Sequence, residues 1–285
     1  MVTMREALVL GALLLAVTGC SGTAPPDRSA VPAPSATSSS TASATPGPAL
    51  DHVALGDSYS SGAGTPGAPA TGCRRSPRDY GALAAAELGA TYVDATCSGA
   101  RTEHLSVPQP HEGGPSAPPQ LDALSATTDV VTVGLGFNDH GFLRNLTRPG
   151  RDKSVSVTRV AAIGRGLEAA LGLVAARAPE ARVVLVGYPQ LVPETGSCPE
   201  LPWTPEEYAE GRAAFAALAE ELAEVASRAD VAYVDVAAAS AGHDVCAGDQ
   251  AWVNGARPRP GVAAPYHPLE QEQEAVAALV LQALS

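Results

Sequence analysis

From about residue 50 to the C-terminus, short apolar runs alternate with longer stretches of helical period. The runs are "HVAL" (52–55), "TYVDAT" (91–96), "DVVTVGL" (129–135), "ARVVLVGYP" (181–189) and "VAYVDV" (231–236). Each has the length of a strand, and the third is a continuous β-branched run, as expected of a strand buried on both faces. The intervening segments predict helices. "PRDYGALAAAEL" (77–88) places Pro77 near its first turn. Between Ser154 and Ala178, Val157, Val160, Gly164, Leu167, Leu171 and Val174 recur at helical spacing. Between Thr204 and Arg228, Thr204 is the N-cap, Pro205 the first helical residue and Glu207 the partner in a capping box. The stripe of that helix is Tyr208, Phe215, Leu218, Leu222 and Val225, and its glutamates form a solvated face. A last helix is expected from Pro268 to Leu284. This alternation predicts one α/β domain: a doubly wound, three-layer α/β/α sandwich with a five-stranded, mainly parallel sheet.

The N-terminal segment follows different rules. "MVTMREALVLGALLLAVTGC" has a head containing Arg5 and an apolar run from Ala7 to Val17, too short to span a bilayer and suited to a secretory signal. The Val17-Thr18-Gly19-Cys20 ending resembles a bacterial lipobox, in which Cys20 would be lipidated; the alternative is a plain signal peptide. Residues 21–49 are Pro, Ala, Ser and Thr with almost nothing to fill a core, so they read as a disordered tether. The expected organisation is therefore signal 1–20, tether 21–49 and folded domain 50–285. The product would be exported, extracellular or a cell-surface lipoprotein.

Composition narrows the partners. Apolar residues make up 45% but aromatics only 4%, so Ala, Val and Leu must build the core. The formal charge of −12 excludes a nucleic-acid footprint and gives no attraction to anionic membrane, leaving an N-terminal lipid as the only membrane link. Lys153 is the sole lysine. Beyond Cys20 there are four cysteines, Cys73, Cys97, Cys198 and Cys246, with no CxxC among them. In an oxidising compartment they read as two disulfides, and of the three possible pairings the local ones, Cys73–Cys97 and Cys198–Cys246, are expected. Nothing suggests a metal or other cofactor, and a monomer is expected.

Ligands of open α/β sheets bind beyond the carboxyl ends of the strands. Past the first strand comes Gly56-Asp57-Ser58, and past the second Cys97-Ser98-Gly99-Ala100. The third is followed by Gly136-Phe137-Asn138-Asp139, and Tyr266-His267-Pro268 precedes the last helix. A nucleophile, a glycine N–H, a side-chain amide and a base are the parts acyl transfer requires. Alone, Ser58 would be a turn residue and Asn138 a helix cap; the set makes each a candidate. Asp57, Asp139 and His243 read as structural, and Trp203 and Trp252 as packing beside the disulfide loops.

The ordered motifs "GDSYSSGAG", "CSGA", the Asn138 block, "GHDVC" and "YHP" resemble the SGNH (GDSL) hydrolase family of esterases and lipases, in particular its secreted actinobacterial branch. The resemblance covers the chain from about residue 51 onward. It implies a flavodoxin-like fold and the same cysteine pairing. It also implies Ser58 as nucleophile, His267 as base, and an oxyanion hole of the Ser58 and Gly99 N–H groups with the Asn138 amide. Family members often carry Asp three residues before the histidine. Here that position is Ala264, so its backbone carbonyl is expected to orient His267, with Asp244 or Asp249 as the competing reading. Phe137 stands where the family usually has a second glycine, and Leu269-Glu270 departs from the usual stretch after the histidine. The expected function is hydrolysis of carboxylic esters, acyl-lipid esters above all. The alternatives are a polysaccharide or cell-wall acetyl esterase, a phospholipase, or a lipoprotein solute-binding module.

Overall fold

The computed structural model describes residues 49–285 apart from 112–113 and 149. The signal segment, Cys20 and residues 21–48 lie outside the described residues. In chain order the elements are β1 (Asp51–Gly56), α1 (Tyr80–Leu88), β2 (Thr91–Asp94), β3 (Val130–Gly134), α2 (Phe142–Thr147) and α3 (Ser154–Val157). They continue with α4 (Val160–Arg177), β4 (Arg182–Val186), α5 (Pro205–Arg228), β5 (Ala232–Val234), α6 (Val236–Ala239) and α7 (Glu270–Ala283). The sheet order is β2-β1-β3-β4-β5 and every pairing is parallel. Alternate residues of the central strands feed two cores. Val53, Leu55, Val131, Val133 and Leu185 pack with apolar residues of α4 and α5. Val130, Val184, Val186 and Val234 pack with Tyr80 and Ala84 of α1 and with Val276 and Val280 of α7. The result is the three-layer sandwich expected.

The elements form where local chemistry permits, with two differences from expectation. Helix α5 starts as its capping box dictates, Thr204 Oγ1 accepting from the Glu207 N–H at 3.2 Å and Glu207 Oε2 from the Thr204 N–H at 2.8 Å. Its stripe is buried throughout. Helix α1 starts at Tyr80 rather than near Pro77, because the Asp79 carboxylate caps the Ala82 N–H at 2.9 Å. The single helix expected over 154–178 is broken after Val157, which is exposed. The cause is Lys153. Its side chain is fully buried, with Nζ 3.1 Å from Glu207 and 4.4 Å from the centre of the Trp203 ring. Its backbone N–H bonds Glu210 at 3.0 Å, so α3 is tied to the start of α5 instead of continuing into α4.

The order of strands reverses between β1 and β3, and there the backbones close over one small side chain. The Ser60 hydroxyl lies between Gly56 and Gly134 and accepts from the Tyr80 hydroxyl at 2.8 Å. A Cβ on Gly134 would fall 2.2 Å from Ser60 Oγ and 3.6 Å from Ser60 Cβ; one on Gly56 would fall 2.2 Å and 2.4 Å from the same atoms. Gly134→Ala should therefore destabilise the fold by about 1–3 kcal/mol through overpacking. Ser60→Ala should recover most of that loss, because it removes the closest obstruction and frees the Tyr80 hydroxyl, which would otherwise stand 3.0 Å from the new Cβ, from its bond to Ser60. The same change should not recover Gly56→Ala, where the Cβ itself obstructs. Denaturant unfolding of the single and double variants reads the outcome, and equal recovery of both would contradict the packing described.

Candidate active site

The turn after β1 is fixed by its own backbone. The Asp57 N–H donates to Gly134 O at 3.0 Å, and the Ser61 N–H to Asp57 O at 2.9 Å. Gly56 is clasped by Gln120, whose Oε1 accepts from the Gly56 N–H at 2.8 Å while its Nε2 donates to Gly56 O at 2.9 Å. The Asp57 side chain is fully buried and accepts from the Tyr59 N–H at 2.9 Å and the Tyr188 hydroxyl at 2.8 Å. Burial pushes its carboxyl up to about 7 against the opposing pull of those hydrogen bonds. This is the bracing role expected of Asp57. It leaves the Ser58 side chain at the end of β1, at the reversal of strand order where α/β sheets bind ligands.

His267 reaches Ser58 from a loop 209 residues later in the chain, with its Nε2 2.8 Å from Ser58 Oγ. Its Nδ1 lies 2.7 Å from the carbonyl oxygen of Pro265. A carbonyl can only accept, so Nδ1 carries the proton and Nε2 is left to accept from the serine hydroxyl. The orienting carbonyl is thus Pro265's and not the Ala264 carbonyl expected from sequence. Ala264 O instead accepts from the His267 N–H at 3.2 Å and from Asn254 Nδ2 at 3.0 Å. The reason is a four-residue turn from Ala264 to His267, with Pro265 second and Tyr266 third at φ 59°. Those are the features of a type II turn, closed by the first carbonyl with the middle peptide flipped away from it. Two further side chains hold this loop. Asn254 Nδ2 also bonds Arg257 O at 2.9 Å, and the Tyr59 hydroxyl donates to Tyr266 O while its ring packs 5.2 Å from the imidazole. Asp244 accepts from the Cys246 N–H at 2.8 Å, and Asp249 lies in an exposed turn, so neither carboxylate bonds His267. Burial holds the imidazole down at about 4; the Pro265 contact opposes this and the charge of Arg74 adds to it.

The remaining candidates converge on the same edge. The Cys97 N–H donates to Gly56 O at 2.9 Å, bringing the Gly99 loop beside the Ser58 turn, and Asn138 Nδ2 donates to Ala100 O at 3.1 Å. Asn138 Nδ2 also lies 3.5 Å from Asp57 Oδ2. Among the described residues, the N–H groups of Ser58 and Gly99 have no acceptor. Gly99 sits at φ 80°, a conformation that glycine adopts without strain. Asp139 ties the same two segments, accepting from the Thr102 N–H at 2.9 Å and its hydroxyl at 2.6 Å. Both disulfides form as expected, Cys73–Cys97 two residues from Gly99 and Cys198–Cys246 beside the loop of Asp244.

Other residues settle into structural positions. Phe137 is buried beneath the site in a cluster with Tyr59, Tyr188, Phe142 and Phe215, so its ring fills core where the family's glycine would leave space. His243 stacks on Trp252 at 4.6 Å. Among the described residues the one group with metal-ligand spacing is Cys73, Cys97 and His111, whose two sulfurs are joined to each other. Sequence reasoning passed over Gln120, Asn254 and Tyr188, which stand in no motif. Gln273 was passed over as well: its amide accepts from the Tyr80 N–H at 2.9 Å and donates to Tyr59 O at 3.1 Å, tying α7 to the Ser58 turn.

A parallel sheet with a serine–histidine pair at its reversal point defines an acyl hydrolase of the α/β/α type. Residues 54–274 match the model of the GDSL-like Lipase/Acylhydrolase family, and the chain belongs to that family. It is 36% identical over 225 residues to Lipase 2 of Streptomyces coelicolor, covering 70% of this chain and 74% of that protein. Among solved structures, the extracellular lipase of Streptomyces rimosus superposes with a TM-score of 0.69 at 30% identity, covering 82% of this chain and all of that one. Phospholipase A1 of Streptomyces albidoflavus NA297 gives 0.66 at 31% identity, over 83% and 98%.

Among the described residues His267 bonds a carbonyl and no carboxylate, which has two measurable consequences. Asp244→Asn and Asp249→Asn should each keep ester turnover within about threefold of wild type, where losing an essential triad acid costs about 10⁴-fold. A base must be neutral to act, and burial lowers His267, so activity should persist as pH falls through 6.5. The acid limb of kcat/KM should lie near 4 to 5. A limb at 6.5 or above, or a thousandfold loss in either variant, would contradict the carbonyl-held histidine.

Proposed function

We propose that this ester hydrolase works through an acyl-enzyme on Ser58. The observation that carries the reading is the 2.8 Å contact between Ser58 Oγ and His267 Nε2, with Nδ1 fixed by a carbonyl. His267 takes the hydroxyl proton as Ser58 attacks the ester carbonyl, then returns it to the leaving alcohol; water repeats the sequence to release the acid. The Ser58 and Gly99 N–H groups and the Asn138 amide are the donors for the tetrahedral oxyanion. Acyl-lipid esters are the proposed substrates. In support, the two solved relatives above are a lipase and a phospholipase A1. A fluorophosphonate probe should label wild type and not Ser58→Ala. Asn138→Ala should lower kcat by on the order of 100- to 1,000-fold, as expected for a lost oxyanion donor. In a p-nitrophenyl ester series kcat/KM should rise from acetate to octanoate; a maximum at acetate would contradict the lipid reading.

We also propose export, with lipid attachment at Cys20. The apolar run of residues 7–17, the Val17-Thr18-Gly19-Cys20 ending and the extracellular relative support it. Mass spectrometry of the mature chain should find a diacylglyceryl group on residue 20, and Cys20→Ser should shift the enzyme from membrane fraction to medium. An unmodified mature N-terminus would contradict the lipid.

A further inference from the structure

The surface just beyond Asn138 carries charge of the wrong sign for this protein. The chain is formally −12, yet the stretch from residue 141 to 159 contains Arg144, Arg148, Arg151, Lys153 and Arg159 with one acid, Asp152. Lys153 is turned into the core toward Glu207. The four arginines, with Gly141 and Asn145, line a polar depression of about 170 Å³. Gly141 forms its floor: a Cβ there would lie 3.2 Å from Arg144 Nη2 and 3.6 Å from Arg159 Nη1, so two guanidinium groups converge above it.

Elsewhere among the described residues some arginines are matched by acids. Arg228 meets Glu168, Glu221 and Glu224; Arg78 meets Glu270 and Glu274; Arg101 meets Glu103. Arg74, Arg165, Arg177, Arg182, Arg212, Arg257 and Arg259 are not matched; the depression differs in gathering four unmatched ones around one pocket. Among the described residues none of the four in the depression pairs with a carboxylate. The two nearby acids are occupied otherwise, Asp152 by the Ser154 N–H at 3.0 Å and Asp139 by Thr102. Arg159 donates to the His140 carbonyl, which fixes its direction and leaves its charge unbalanced. Four like charges within a Debye length of one another repel unless an anion joins them.

We propose that this depression is a phosphate-binding site. A planar carboxylate is satisfied by a single arginine fork, whereas forks arriving from several sides suit the three or four oxygens of a tetrahedral anion. Its position ties it to the reaction. The Gly141 N–H donates to Asn138 O at 3.1 Å, so the floor lies one turn past the Asn138 amide, within about 11 Å by chain reach. An ester substrate bearing a phosphate could set that group here with its acyl bond toward Ser58. This link to turnover rests on the hydrolase reading above; the phosphate site itself does not.

The test uses the full chain and an Arg144→Gln/Arg148→Gln/Arg151→Gln variant, which removes three exposed side chains and leaves Arg159 in its contact with His140. Inorganic phosphate, against sodium chloride of equal ionic strength, should raise the thermal midpoint of wild type by about 2–4 °C at saturation and leave the variant unmoved. In parallel, kcat/KM is measured for dihexanoyl phosphatidylglycerol and for dihexanoyl glycerol, both below their micellar concentrations. The ratio of the two should fall at least tenfold in the variant. Loss of the ratio supports phosphate carried by the substrate. Loss of the thermal response with an unchanged ratio supports the same site holding free phosphate. A wild type that does not respond to phosphate, with a ratio equal in both proteins, overturns the proposal. A wild type that responds to phosphate but hydrolyses neither ester leaves the site standing and removes the hydrolase reading instead. Arg144→Gln alone serves as the second variant, expected to show the same changes at smaller amplitude.

Discussion

Everything at the catalytic edge depends on how closely β1 and β3 approach as they end. Parallel neighbours run side by side, and the chain leaving β1 must turn back over its own neighbour to present Ser58. That turn has room only because Gly56 and Gly134 carry no side chain, letting the Ser60 hydroxyl sit between them. The same closeness lets the Asp57 N–H find Gly134 O and continues the ladder one step beyond the strand. Gln120 then supplies Gly56 with a donor and an acceptor, as a neighbouring strand would. The serine is positioned by main chain on both sides, and side chains from the loop after β4 and from α7 lock the result.

The histidine is held by different means. A carboxylate behind an imidazole fixes its tautomer and stabilises the imidazolium as it forms. The Pro265 carbonyl performs the first task and offers only a dipole for the second. Burial then pushes the ring toward neutrality, which keeps it free to accept a proton but makes it a weaker base. In the proposed mechanism more of the barrier lowering falls on the donors facing the oxyanion. The disulfide beside Gly99 and the Asp139–Thr102 bonds hold that segment in place before substrate arrives.

The fold was legible in the sequence wherever a signal was local. Strand order apart, the five apolar runs are the five strands, and the Thr204-Pro205-Glu207 pattern starts α5 because its caps lie within one turn. The site motifs were legible because each sits immediately after a strand or before a helix. Signals that depend on distant partners were not. Nothing near residue 157 announces a break, since the break comes from the preference of Lys153 for Glu207 and Trp203, about fifty residues away in the chain. The difference between Ala264 and Pro265 turns on the sign of φ at Tyr266. Tyrosine carries no preference for the left-handed region, so the flipped peptide leaves no trace in composition. Gln120 and Asn254 are lone amides whose bonds go to backbone, and backbone has no letter to read.

The burial of Lys153 has a consequence for the whole surface. It is the only lysine, and it is inside, so every side-chain cation left on the described surface, histidines aside, is a guanidinium. An ammonium is a compact point charge, whereas a guanidinium is a planar fork of five donors. The positive half of the described surface is therefore built from forked, directional donors. The same arrangement leaves the folded domain without an exposed side-chain amine, so reagents that acylate or crosslink amines would find none to modify on its face.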